Sequence, residues 1–439
     1  MDCHHQDLQK TLSRWDSVAF NLAIVIGVGI FRVPSEVSLY LQSPDLILLA
    51  WLCGGIISLL GAICYGELSS SLPQTGGNYI YLRESYGPCM AFLFAWTELL
   101  VIRTGSIAAV AFVCAEYLQS FLSTSELWIK PVAVTTVLIL SIINMVGIYY
   151  GKRLQDFFVI SKVLALGAII IFGLLSQKGD PANLRHVPFN ADANILALFC
   201  LALIPILWTY GGWHENTFVA GETKDAQKVI PSALIIGIAL ITLIYLSINC
   251  LYLYLIPAHH MVHAKLIAAD ILEILFGNYG RKILEGLVIV SSLGCLNAMI
   301  VTGSRVTYAM AKDNRIFNYI GEVDNTFQTP ARALIINTLW SVVLIILGSF
   351  NKLLFFTGVL TWLFFTLAVG GLFILRRKHP SAHLTYRAWG YPIVPAIFIL
   401  ISIAIFTTTI LFYPYPSLFG LCLAGTGIPI FLFSRKKNL

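Results

Sequence analysis

Apolar positions in this chain come in long unbroken runs. They follow neither the alternation of a half-buried strand nor the one-sided stripe of a soluble helix. Stretches of about 18 or more apolar residues recur along almost the whole length, each able to cross a bilayer core as a helix. Read together with turn residues, the pattern predicts an all-α integral membrane protein of about twelve spans. They lie at 17–40, 46–70, 88–121, 128–149, 154–175, 193–220, 231–256, 282–310, 332–349, 352–375, 391–411 and 416–434. The segment 257–281 is too polar to span, yet ADILEILF within it has helical periodicity, which predicts an interfacial helix on the outer face.

Composition agrees: 58% of residues are hydrophobic and 11% charged, against roughly 25% charged in soluble domains. The opening residues MDCHHQDLQKTLSRW hold no apolar core of a cleaved signal, so the first span is expected to serve as the insertion signal. A formal charge of +6 is explained by topology. With a cytoplasmic N-terminus, Lys10, Arg14, Lys152, Arg153, Lys224, Lys228, Lys312, Arg315, Arg332, Arg376, Arg377, Lys378, Arg387, Arg435, Lys436 and Lys437 all fall inside, as the positive-inside rule expects. That places both ends in the cytoplasm of a multi-pass protein of the cell membrane. The 9 cysteines are scattered without C-x-x-C spacing, and read as small buried hydrophobes. His259, His260 and His263 read as solvated loop histidines, so neither metal nor cofactor is expected.

Two spans are built to break. AIVIGVGIFRVP (23–34) interrupts the first with Gly27, Gly29 and Pro34, and WTYGGWHE (208–215) interrupts the sixth. Interrupted helices at corresponding places in two halves point to a transporter's binding site, and predict inverted repeats of five spans each, 15–175 and 193–376. A segment 1–14 precedes them, and two further spans at 391–434 and a tail at 435–439 follow. Where a helix unwinds at mid-bilayer, freed N–H and C=O groups are tolerable only around a cavity or ligand. A zwitterion complements both, its carboxylate suiting a half-helix N-terminus and its ammonium the carbonyls of a C-terminus. The alternative is that the glycines merely permit close helix packing.

Four motifs in order carry a resemblance: GVGIF at 27–31, YGELSSSLPQTGGNYIYLRESYGP at 65–88, WTELLVIRTGS at 96–106, and YGGW followed by FVAGETKDAQKVIPSAL at 218–234. With these the chain resembles the amino acid–polyamine–organocation superfamily, above all the L-type amino acid transporter branch and its bacterial relatives. The resemblance implies the leucine-transporter fold, with two extra C-terminal helices after the repeats. It implies that the backbone of Ile26, Gly27, Val28, Gly29 and Ile30 binds the substrate carboxylate. Trp208, Thr209, Tyr210, Gly211 and Gly212 would then receive the ammonium, with Trp208 as an aromatic gate. Two positions depart from the family: Val28 replaces a small hydroxyl residue, and Arg32 is expected to bias the entrance against cationic substrates.

Ionisable residues within spans are functional candidates because they are costly there. Lys162 lies roughly 13 Å of helix beyond Arg153, too deep to snorkel easily. The resemblance implies that it substitutes for the second sodium ion of sodium-coupled relatives, bracing helices 1 and 8; the alternative is a structural pairing with a carboxylate. Glu98 and Arg103 are spaced i, i+5, which predicts no mutual pair on a regular helix. His214 is a substrate or gate partner or a satisfied buried histidine. Glu67, Glu222 and Lys224 are placed as inner-gate groups. Ser291, Ser292, Cys295, Asn297 and Trp362 are candidates for the side-chain pocket.

The sequence lacks H-E-x-x-H, G-x-S-x-G and any acidic catalytic cluster, which counts against an intramembrane enzyme. It also lacks a selectivity-filter repeat, which counts against a channel. Neutral amino acids are the expected substrate, with polyamines or cationic amino acids as the alternative, and exchange and proton symport both stay open. The eukaryotic light chains that the sequence resembles are joined to a heavy chain by a cysteine in the loop between helices 3 and 4; the matching loop 120–130 has none, so no disulfide-linked heavy chain is expected and the protein is expected as a monomer or homodimer.

Overall fold

The computed structural model describes residues 10, 12–146, 148–185, 195–262, 267–313, 317–324, 329–379 and 384–436. His263, Arg315, Lys437, Cys3 and most of the segment 1–14 lie outside the described residues. Helix α1 (Arg14–Val25) opens on a capping box in which Ser13 and Asp16 each bond the other's backbone N–H, and α2 (Gly29–Tyr40) follows the first break. Proline sits in the first turn of α3 (Pro44–Ser71), where its missing N–H costs nothing. Next come α4 (Asn78–Tyr86), α5 (Pro88–Thr97), α6 (Arg103–Leu122), α7 (Ile129–Val146) and α8 (Ile148–Leu175). The second half runs through α9 (Ile195–Thr209), α10 (Ala226–Leu255), the short α11 (Ala258–Met261), α12 (Ile267–Asp313), α13 (Ala331–Leu347) and α14 (Phe350–Lys378). Three helices end the chain: α15 (Ile393–Phe412), α16 (Pro414–Gly425) and α17 (Gly427–Lys436).

Among the described residues nine helices are long and apolar enough to cross a membrane, ten if α1 and α2, bent by 46°, count as one span. Two shorter apolar helices, Val159–Leu175 and Ala331–Leu347, fall where further spans are predicted. Burial separates centre from rim. The span Pro88–Leu122 is 89% buried, against 28% for Ile393–Phe412 and for Pro414–Ser434, so α6 forms the axis while α15 and α16 turn Leu400, Leu411 and Phe419 outward. Such an outward apolar surface suits lipid.

In the polar segment 257–281, α12 is broken at Gly277 (φ 68°), which sets off a short helix before the long one. That short helix buries Ile267, Ile271 and Leu275 against the body. His259 and His260 pack ring to ring on α11, with centroids 4.3 Å apart.

Candidate functional site

At the first break α1 stops with the Ile26 N–H still bonded to Leu22 O at 3.0 Å, and the four carbonyls after Leu22 lose their regular helical partners. Side chains from three other helices replace them. Lys162 of α8 donates from Nζ to Ala23 O and to Ile26 O, both at 2.7 Å. The Tyr245 hydroxyl of α10 donates to Val25 O at 2.7 Å, and the Cys295 thiol of α12 to Ile24 O at 3.4 Å. Ser291 adds a long contact to Ile26 O at 3.5 Å. Lys162 is fully buried, and among the described residues it meets carbonyls and no carboxylate. On the other side of the break the amides of Val28, Gly29 and Ile30 have no acceptor among the described residues.

Among the described residues, the second break leaves a carbonyl free. Gly211 N–H turns back to Trp208 O at 2.9 Å, so Leu207 O loses the partner a continuing helix would supply. Gly212 then adopts φ 93° and a 3₁₀ helix runs over Trp213–Glu222. The two breaks cross at their glycines. A Cβ on Gly29 would lie 2.6 Å from the Thr209 side chain, and one on Gly212 would lie 2.3 Å from Ile24 Cγ2. Tyr245 ties the pair, since its hydroxyl also lies 3.3 Å from Thr209 O.

A cavity of about 90 Å³ sits between them. Gly27, Val28 and Gly29 line it from the first break, and Trp208, Thr209, Gly211, Gly212 and His214 from the second. Ile26, Ile30 and Tyr210 stand behind this wall. The Ile26 carbonyl is held by Lys162, Ile30 is buried in the core, and Tyr210 turns its hydroxyl to Trp51 O at 3.1 Å. Of the side-chain pocket candidates Cys295 and Trp362 reach the cavity. Ser292 bonds Val288 O within its own helix, and Asn297 accepts from Asn144.

One expectation is overturned. Residues Glu98–Ile102 form a π-helical turn in which the Arg103 N–H bonds Glu98 O, five residues back, and Arg103 Nε meets Glu98 Oε2 at 3.3 Å. The same guanidinium binds Glu215 Oε1 at 2.7 Å, and the Thr302 hydroxyl donates to Glu215 Oε2 at 2.7 Å. Arg103 and Glu215 both line the cavity, with their charges turned on each other. Arg32 is likewise matched, by Glu116. Thr302 and Tyr245 had no motif to mark them: one is a hydroxyl and the other a phenol in apolar runs.

At one end of the bundle Glu67 accepts a fork from Arg376 at 2.7 and 2.6 Å and the Ala388 N–H at 2.6 Å. Glu222 pairs with Arg305 at 3.3 Å. The backbone of Leu12 bridges to the segment beside Glu222, with Leu12 N–H bonding Glu222 O and Lys224 N–H bonding Leu12 O. Sequence reasoning placed the acids here but not their arginine partners, which lie far along the chain.

A multi-pass helical bundle whose two interrupted helices cross around a small cavity is the build of a membrane solute transporter. The chain belongs to the amino acid permease family, whose profile matches residues 12–427. It is 28% identical to the serine/threonine exchanger SteT of Bacillus subtilis, over 99% of each chain. It is also 28% identical to the human cystine/glutamate transporter, over 98% of this chain and 87% of the relative. The mouse large neutral amino acids transporter small subunit 2 shows 28% identity over 97% of this chain and 81% of its own. The family and these relatives are transporters, not enzymes.

Proposed function

We propose that this protein exchanges small neutral amino acids across the cell membrane by alternating access, without sodium. The observation that carries the reading is the pairing of bare groups on one cavity: the Val28 and Gly29 amides at the start of α2 and the Leu207 carbonyl at the second break. The first set suits a carboxylate and the second an ammonium. Trp208, half-buried in the cavity wall, acts as the gate over the bound zwitterion.

Neutral side chains follow from the charge balance. Glu215, the acid nearest the breaks, is already engaged by Arg103 and Thr302, which leaves little to attract a cation. The names of the serine/threonine exchanger and the large neutral transporter support the same class, and the word exchanger supports counter-transport over proton symport. Lys162 stands in for a cation, bridging α8 to α1 at Ala23 O and Ile26 O; Ser291 of α12 also reaches Ile26 O, and Cys295 of α12 takes the neighbouring Ile24 O. Glu67 and Glu222, with Arg376 and Arg305, form the inner gate.

In this reading twelve spans are arranged as inverted repeats 15–175 and 193–376 with two added helices at 391–434. The termini, 1–14 and 435–439, face the cytoplasm, and the protein works without a disulfide-linked heavy chain. Proteoliposomes loaded with unlabelled amino acid test it. Labelled L-alanine is expected to enter only when amino acid is inside, with choline in place of sodium and with no proton gradient. Uptake into empty vesicles that is driven by an imposed proton gradient would replace exchange by symport.

A further inference from the structure

His214 lies in the cavity wall beside the second break; its carbonyl accepts the Thr217 hydroxyl, but among the described residues its ring takes no part in the hydrogen-bond network. Neither ring nitrogen has a hydrogen-bond partner among the described residues; Nδ1 is fully enclosed, and the residue is only 6% exposed. Four aromatic rings pack edge-on around the imidazole: Phe365 at 4.7 Å between centroids, Phe218 at 5.3 Å, Trp213 at 5.6 Å and Tyr65 at 6.0 Å. This box fixes the ring plane, so the imidazole cannot turn to find a partner elsewhere. Tyr65 also carries an unbonded hydroxyl, but it is not part of the cavity wall. Leaving a buried polar group unbonded is costly, so such groups persist where a ligand completes them.

We propose that His214 is a specificity-determining residue of the side-chain subsite, selecting small neutral amino acids whose side chain ends in a hydroxyl. The inference rests on the exchange reading above and adds the substrate's side-chain chemistry to it. With Nδ1 enclosed, Nε2 is the nitrogen left to a ligand; on a neutral imidazole it is a donor or an acceptor according to the tautomer, and a hydroxyl can meet either. Phe365 and Trp362 add apolar walls to the same cavity, and its charged residues Arg103 and Glu215 are paired with each other, so an uncharged side chain suits it best. A site that hydrogen-bonds a substrate hydroxyl rejects the isosteric analogue without it far more strongly than an apolar pocket separates two hydrocarbons.

Threonine and valine are nearly isosteric and differ by that hydroxyl, so they form the test pair. The purified full chain is reconstituted, and each is titrated against labelled L-alanine exchange. In the unaltered protein L-threonine is expected to compete about tenfold or more better than L-valine. His214→Phe, which fits the aromatic box, is expected to bring that ratio below about threefold. His214→Gln, which keeps a donor and an acceptor, is expected to hold it above about threefold. Equal competition by threonine and valine in the unaltered protein overturns the proposal, and so does an unchanged ratio in His214→Phe. If that variant does not fold, the unaltered protein and His214→Gln decide. Should alanine fail to exchange in the unaltered protein, the exchange reading falls. Thermal stabilisation by threonine over valine then supports the subsite, and equal stabilisation rejects it.

Discussion

The two breaks are finished in opposite ways. At the first, each carbonyl after Leu22 is taken by a side chain from another helix, Lys162, Tyr245 or Cys295, and the amides beyond it are left open. At the second, among the described residues, Thr209 O meets only the far reach of Tyr245, Leu207 O stays free and the His214 ring has no hydrogen-bond partner. Freed backbone groups in a membrane must be satisfied or face a cavity. The first break is therefore a braced anchor with one open end. The second is the looser partner, where a turn through Gly212 leaves backbone and imidazole exposed to whatever fills the cavity.

Removing the brace has the largest expected effect. Lys162→Ala strips the donor from Ala23 O and Ile26 O at once, and hydrogen bonds to a charged group are worth about 1.5–3 kcal/mol each. Exchange in proteoliposomes is expected to fall about 100-fold or more, and a rate above a tenth of normal would show that the anchor holds without its cation. Gly29→Ala tests the crossing itself. Its Cβ would sit 2.6 Å from Thr209, whereas one on Gly27 would sit 3.1 Å from Cys295 Sγ. Overpacking costs about 1–3 kcal/mol, so Gly29→Ala is expected to lower the thermal midpoint and to slow exchange by about tenfold, more than Gly27→Ala. The reverse order would mean that the breaks are not pressed together at Thr209.

Tyr245→Phe removes a hydroxyl that reaches both breaks. With a net hydrogen bond worth about 1 kcal/mol, exchange is expected to slow by about fivefold to tenfold. An unchanged rate would separate the two breaks mechanically. Glu222→Gln lies away from both and weakens only the contact with Arg305. It is expected to change turnover a few-fold with little change in KM, and a change confined to KM would move Glu222 out of the gate. The smallest expected effect is none: replacing sodium by choline at fixed pH leaves exchange unaltered, and a collapse would dismiss Lys162 as the resident cation.

The helices and both breaks were legible because glycine, proline and long apolar runs act locally, and four motifs in order fixed the family. What escaped was contact between distant positions. Nothing local in WTELLVIRTGS announces a π-helical turn, and that turn alone brings Glu98 onto Arg103. Arg32 looked like a free charge at the entrance because Glu116 is on another helix. Ile26, Ile30 and Tyr210 were counted with their neighbours by adjacency, yet side chains and carbonyls on a short segment point in several directions. Their places behind the cavity wall depend on Lys162, the core and Trp51.

The central claim is that open amides at the first break and an open carbonyl at the second hold the two charged ends of one zwitterion. Competition against labelled L-alanine exchange tests it most directly, using L-alanine, its methyl ester and its N-acetyl derivative. Masking either end is expected to weaken competition about 100-fold or more, the scale of a lost charge-assisted contact. An ester or an acetyl derivative that competes as well as alanine itself would contradict the account.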